Sequence, residues 1–267
     1  GNYVDGDGAY HGFLRDQRGR FTTIDVPGAK ATQIEKINER GQMVGSYSTT
    51  ANQIQAPNGK PRGFLLDRGR LISIDVPGAV QTQAVGLNNF GTVVGEYLDS
   101  AGKFHGYRWD RGGYTTVDHP GMDATSLRDI NDRGKVLGVS VADLTAPSPA
   151  LRGFVLDQGR VTSFDVPPGP ITLPTDINNR DQIVASGATG GVSEGSPVPT
   201  VRAFLLAKGV MGPLTPIAFP GAPNTLGGGL NDSGAVVGLY QNPKVPPDPQ
   251  GSGMQPSGMT ATAATAR

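Results

Sequence analysis

Cysteine is absent from the 267-residue sequence, which removes disulfides, thiolate metal sites and cysteine nucleophiles together. Aromatic residues make up only 6%, with a single tryptophan, Trp109. Histidine occurs three times, so imidazole chemistry has only His11, His105 and His119 to draw on. Neither sign of charge dominates: Lys and Arg number 23, and Asp and Glu also number 23. No global field therefore draws the chain to nucleic acid or to an anionic membrane. No apolar run approaches the length of a membrane-spanning helix. No pattern points to a bound cofactor or a metal ion.

Glycine is what the sequence has in plenty, at 40 residues, and it recurs at fixed places. One segment of roughly 45 residues is repeated five times. Its clearest copy holds Gly63-Phe-Leu-Leu-Asp, Ile74-Asp-Val-Pro-Gly78, Leu87-Asn-Asn-Phe-Gly91 and Val93-Val-Gly-Glu-Tyr97. Each copy reads as four short strands. The first resembles Thr82–Leu87 and ends at Asn38, Asn88, Asn131, Asn178 or Asn231. Three residues later stand Gly41, Gly91, Gly134 and Gly234, with Asp181 replacing Gly in the fourth copy. Asn followed by Gly between apolar runs is hairpin chemistry, because Gly takes positive φ without steric cost. Second strands resemble Met43–Tyr47. Third strands are Gly12–Leu14, Gly63–Leu66, Gly106–Trp109, Gly153–Leu156 and Ala203–Leu206. The fourth ends in Asp-Val-Pro or a variant, where a Pro lacking its N–H suits a strand end.

The expected fold is all-β: a five-bladed β-propeller of four-stranded antiparallel blades. The last copy lacks its third and fourth strands, and the first copy begins with them. Pairing the N- and C-terminal strands is expected to close the ring and cover the exposed edges. Residues 1–240 then form a single domain, expected as a monomer. Residues 241–267, rich in Pro, Gly, Ser, Thr and Ala, are expected as a tail or linker. Gly1-Asn-Tyr3 matches Gly95-Glu-Tyr97, so the chain opens mid-repeat, as a precursor trimmed of an export signal would.

The motifs His11-Gly-Phe13 and His105-Gly-Tyr107, the recurring Asp-Val-Pro-Gly and the Ile-Asn-x-x-Gly-x-Val-Val-Gly-x-Tyr pattern resemble the HAF-repeat family of bacterial extracellular proteins. The resemblance covers about Gly1 to Tyr240. The third copy departs with Asp118-His-Pro-Gly121 and the fifth with Ala218-Phe-Pro-Gly221. The resemblance implies an exported, secreted, periplasmic or cell-envelope β-propeller-like protein. It implies no established reaction and carries over no catalytic residue.

Shared residues explain the fold, so polar departures from the pattern are the places to look for function. His11 and His105 alternate with Arg62, Arg152 and Arg202, which suits a local hydrogen bond at a strand start. His119 stands where other copies have Val26, Val76, Val166 and Phe219. It is a candidate acid/base, or more plainly a partly exposed strand-end residue. In a propeller the first strands line the axis, where small residues such as Gly86 and Gly229 are expected. The other copies instead place Lys36, Asp129 and Asp176 there, with Glu35 and Arg128 one residue earlier.

Glu35, Asp129 and Asp176 are thus candidate catalytic carboxylates of the glycosidase type, with His119 beside them. The plainer reading pairs them with Lys36 and Arg128. Adjacent strand residues also face opposite ways, which weighs against full convergence. Lys36, Arg128, Arg108 and Trp109 are candidate ligand-binding residues, Trp109 either as a sugar-stacking platform or as core. Asp5-Gly-Asp7-Gly8 offers oxygen ligands but lacks those of a complete calcium loop. The variable loops Ser48–Arg62, Val139–Arg152 and Gly187–Arg202 are further places for specificity.

The leading expectation is a binding module for a carbohydrate or other small ligand at the axial mouth. A hydrolase or lyase using the acidic and basic cluster is the alternative, and a structural or protein-interaction propeller is a third.

Overall fold

The computed structural model describes residues 1–54, 59–189, 200–241 and 259–264. The middle parts of two variable loops, 55–58 and 190–199, and residues 242–258 and 265–267 of the expected tail lie outside the described residues. All regular secondary structure among the described residues is β-strand. The chain divides into two compact units: Gly1–Asp118 with Ala124–Asp132, and His119–Asp123 with Arg133–Arg267.

The first unit opens with β1 (Asn2–Val4), β2 (Tyr10–Arg15) and β3 (Phe21–Ile24), antiparallel in that order. Two four-stranded meanders follow. One holds β4 (Ala31–Ile37), β5 (Met43–Ser48), β6 (Arg62–Asp67) and β7 (Arg70–Ile74). The other holds β8 (Gln81–Leu87), β9 (Val93–Leu98), β10 (Phe104–Asp110) and β11 (Gly113–Thr116). β12 (Ala124–Ile130) packs beside β8, β9 and β10. Along β8 the residues before its bulge alternate, with Thr82 and Ala84 buried and Gln81 and Gln83 less so, as a strand with one covered face requires. Val44, Leu65, Ile74, Leu87, Tyr107 and Trp109 form one core cluster of this unit.

The second unit holds β13 (Val136–Val141), β14 (Leu151–Asp157) and β15 (Arg160–Phe164) as one antiparallel run. A second run comprises β16 (Ile171–Ile177), β17 (Ile183–Ala188), β18 (Val201–Val210) and β19 (Leu214–Ile217). A single parallel pairing of Leu151 with Ile171 joins the two runs. The last sheet is β20 (Thr225–Leu230), β21 (Val236–Gln241) and β22 (Met259–Ala264). Leu137, Phe164, Ile177, Ile183, Phe204 and Leu206 form a core cluster here.

The hairpins between first and second strands follow the expected chemistry. Gly41, Gly91, Gly134 and Gly234 all have φ between 74 and 88°, and Asp181 adopts the same left-handed region at 62°. The Asn before each turn does more than favour it. Asn38 Oδ1 accepts the N–H of Arg40 and of Gln42, and Asn88, Asn178 and Asn231 repeat the arrangement. The Asn38 amide then donates to the Asn88 carbonyl, and Asn88 to that of Asn131. Asn178 likewise donates to the Asn231 carbonyl. The recurring Asn therefore staples successive repeats within each unit, as well as shaping its own turn.

Ring closure by pairing Val236–Gln241 with Tyr10–Arg15 does not occur. β21 lies between β20 and β22, while β2 lies between β1 and β3. The short Asn2–Val4 segment, a partial second strand, satisfies the β2 edge that closure would need. Met259–Ala264, inside the segment expected as a tail, satisfies the β21 edge. Both edges gain backbone hydrogen bonds without the expected pairing.

Candidate functional site

Four of the five first strands, β4, β8, β16 and β20, carry a β-bulge near their ends. Register slips between Ile34 and Lys36 in β4, Ala84 and Gly86 in β8, Pro174 and Asp176 in β16, and Gly227 and Gly229 in β20. The bulged residues are therefore Glu35, Val85, Thr175 and Gly228. A bulge re-aims the residues beside it, so Glu35 and Lys36 do not follow simple alternation. Of the candidates from the sequence, Glu35, Lys36 and Asp176 stand at this irregularity.

In the first unit, Lys36 Nζ lies 2.5 Å from the Asp129 carboxylate, whose side chain is 1% exposed. β8 stands between β4 and β12, and at the matching place it has Gly86. A Cβ on Gly86 would lie 2.6 Å from the Asp129 Cα. Glycine there is thus a condition for β8 and β12 to approach. The pairing agrees with the plainer reading of these charges, and it leaves Asp129 held internally rather than presented to a substrate.

Glu35 differs. Its residue is open to solvent, yet surrounding protein desolvates the carboxyl and raises its pKa. Arg128 opposes that rise, and Glu96 of β9 adds to it. Glu96 accepts a long hydrogen bond from Gln83, at 3.4 Å. Glu35 on β4 is thus an exposed carboxyl within electrostatic reach of Arg128, a partly exposed guanidinium on β12.

Asp176 belongs to the second unit, where its Oδ2 accepts the Leu230 N–H at 2.8 Å and so caps β20. His119 is buried at 8% exposure, not the partly exposed strand-end residue expected. Its Nδ1 lies 2.9 Å from Ser140 Oγ, and its ring packs against Phe154 at 5.0 Å between centroids. Burial, with a smaller contribution from Arg152, lowers its pKa. Its counterparts in the other repeats are apolar, and it fills the same space while also bonding Ser140 and, at 3.5 Å, Ser163.

Trp109 is 8% exposed and lies in the core cluster with Val93 and Tyr107, so it offers no stacking platform. The sequence signal, an aromatic where other repeats have Leu, reflects core filling. Arg108 is half-buried and stands 3.7 Å from Asp110. Asp5 Oδ1 accepts the N–H groups of Asp7 and Ala9, an ordinary turn arrangement.

His11 and His105 prove to be equivalent clasps. His11 bonds Asp25 at 2.9 Å and Asp5 at 3.2 Å, and stacks on Tyr3 at 5.0 Å. His105 bonds Asp118 at 2.7 Å and Asp99 at 3.2 Å, and stacks on Tyr97 at 5.0 Å. Arg62 and Arg152 make the corresponding bonds to Asp75 and Asp165. The Asp of the Asp-Val-Pro motif is thus the partner that the His/Arg alternation serves.

Lys135 and Asp181 carry a network that sequence reasoning did not assemble. Lys135 Nζ lies 3.0 Å from Asp181 and 3.2 Å from Asp157, and Arg133 lies 3.0 Å from Asp181. The hydrogen bond to Asp181 is the main reason the Lys135 pKa is raised. Lys135 replaces the Gln found at Gln42 and Gln182 in two other repeats, so the signal was present in the repeat comparison.

No protein-family description matches the sequence, and no curated protein matches it. Solved structures do. TolB from Acinetobacter baumannii is similar with a TM-score of 0.55 at 13% identity, over 87% of this chain and 56% of that one. The β-propeller domain of the Trilobed protease from Pyrococcus furiosus, described as having an open velcro topology, gives 0.53 at 9% identity, over 90% and 72%. A fungal lectin from Aleuria aurantia, six-bladed and recognising fucose, gives 0.50 at 13%, over 91% and 83%. The fold is of β-propeller type. At these identities the likeness is one of fold alone, and this chain spans 56% of the length of the TolB chain. Among the described residues no helix is long and apolar enough to cross a membrane.

Proposed function

We propose that this chain is an exported, five-bladed β-propeller binding module that recognises a carbohydrate or similar polar ligand through charged positions on the first strands of its repeats. The observation that carries this reading is Glu35, which stands on a β-bulge, open to solvent, with Arg128 close enough to act on its charge. Asp129, Asp176 and His119, the other members of the expected acid/base set, are engaged in internal ion pairing, strand capping and core packing. That distribution favours recognition over catalysis. Fivefold repetition in the sequence supports the blade number, and the HAF-type motifs support export as a monomeric module. The fucose-recognising lectin among similar folds is consistent with a carbohydrate ligand.

Glycan-array screening of the full chain, followed by calorimetry with any glycan retained, tests the reading. Saturable binding weakened at least about tenfold by Glu35→Gln with Arg128→Ala supports it, since each lost charged hydrogen bond is worth about 1.5–3 kcal/mol. Binding indifferent to both substitutions removes these residues from the site. The raised Glu35 pKa also suits a general acid, which is the one specific point in favour of a hydrolase. Glycan turnover by the native chain, abolished in Glu35→Gln, would establish that instead.

A further inference from the structure

The second unit contains a cavity of about 650 Å³ between the β13–β15 run and the β16–β19 run, a size typical of small-ligand sites. Its floor is apolar, built from Val155, Ile177 and Ile183, all buried. Lys208 to Met211, at the end of the long strand β18, form one wall. Other third strands span six or seven residues, whereas β18 spans ten. The repeat that carries Asp181 has thus lengthened the hairpin that walls this cavity.

The polar lining is selective. Lys135 bridges Asp157 and Asp181, fixing both carboxylates at the cavity. Arg160 and Lys208 also line it, and among the described residues neither has a carboxylate partner. Asp181 holds φ at 62°, where four other repeats have Gly. A side chain retained in this conformation costs about 1 kcal/mol or more, which a turn alone gives no reason to bear.

We propose that this cavity binds a uronate-type acidic sugar: one carboxylate, several hydroxyls and an apolar ring face. The ligand carboxylate pairs with Arg160 and Lys208. Its hydroxyls donate to Asp157 and Asp181, and its C–H face lies against Val210 and Met211, the accessible apolar side chains of the lining. A multiply charged phosphate would meet the same two carboxylates as repulsion. A neutral sugar would leave the two cations without a partner. This site is separate from the Glu35–Arg128 surface and stands or falls independently of it.

The test is calorimetry and saturation-transfer NMR on the full chain, using D-glucuronate, its methyl ester, D-glucose and inorganic phosphate. Saturable glucuronate binding is expected, at least about tenfold tighter than ester or glucose, with phosphate weaker still. Arg160→Ala with Lys208→Ala should abolish that preference. Both cations are exposed, and the methyl ester tests the same contact without altering the fold. Equal binding of glucose, equal binding of phosphate, or no saturable glucuronate binding overturns the proposal.

Discussion

Lys36 Nζ stands 2.5 Å from the Asp129 carboxylate, and the strand between theirs carries Gly86 at the matching position. Three repeats therefore contribute one cation, one gap and one buried anion to a single arrangement. Lys36→Met should destabilise the chain by about 3 kcal/mol, because a buried carboxylate loses its cation. Urea unfolding measures this. A loss below about 0.5 kcal/mol would place the pair among ordinary surface ion pairs.

Gly86→Ala tests the gap itself. The new methyl would meet the Asp129 Cα at 2.6 Å and the Val94 side chain at 2.8 Å. Separation of β8 from β12 should cost about 1–3 kcal/mol. An unchanged thermal midpoint would show that these strands yield freely.

Glu35 has a pKa raised chiefly by desolvation. The folded state therefore holds its proton more tightly than the unfolded one, and stability falls as pH rises through the folded value. Glu35→Gln should raise the thermal midpoint at pH 7. The gain should vanish below about pH 4, where the carboxyl is protonated in both states. A gain of equal size at both pH values would point to packing rather than charge.

The three histidines should titrate apart. Bonds to Asp25 and Asp5 raise His11 above 6.5. Desolvation, the largest single effect on His105, lowers it, but the bonds to Asp118 and Asp99 together outweigh this and raise it. These two clasps stabilise the fold below the unfolded pKa and lose that contribution as pH rises through their folded values. His119 is lowered by burial and contributes above its unfolded pKa, losing that as pH falls. NMR titration of the ring protons should show His11 and His105 above His119. The reverse order would contradict the bonding described.

Asp181→Gly separates stability from recognition. Relief of the left-handed φ, about 1 kcal/mol, should offset loss of partly exposed ion pairs worth up to about 1 kcal/mol each. Urea unfolding should find a net change within about 1 kcal/mol, while calorimetry finds weaker binding of D-glucuronate. A large stability loss would make Asp181 a structural residue.

The strand order within repeats was legible because three signals agree: Asn-x-x-Gly turns, period-two burial and the Asp-Val-Pro ends. Closure was not legible. Whether Tyr10–Arg15 meets Val236–Gln241 depends on competition from other edges, and Asn2–Val4 and Met259–Ala264 take those places. Departures from the repeat pointed to Lys36 and Asp129, which pair, and to Glu35, which stands on a bulge. They could not say which were buried, since a bulge decides where each side chain points. Trp109 and His119 broke the pattern for reasons of volume, which composition cannot distinguish from chemistry. Lys135 was visible as a Gln-to-Lys departure, but its partners Asp157 and Asp181 lie in a different strand and turn.

The central claim is that ligand recognition falls on the pattern-breaking positions of the first strands. Amide chemical-shift mapping of the full chain, titrated with a glycan retained on the array, tests this most directly. The account predicts perturbations concentrated at Glu35, Lys36 and Arg128, and lost in Glu35→Gln with Arg128→Ala. Perturbations confined to the recurring positions around His11 and His105 would contradict it.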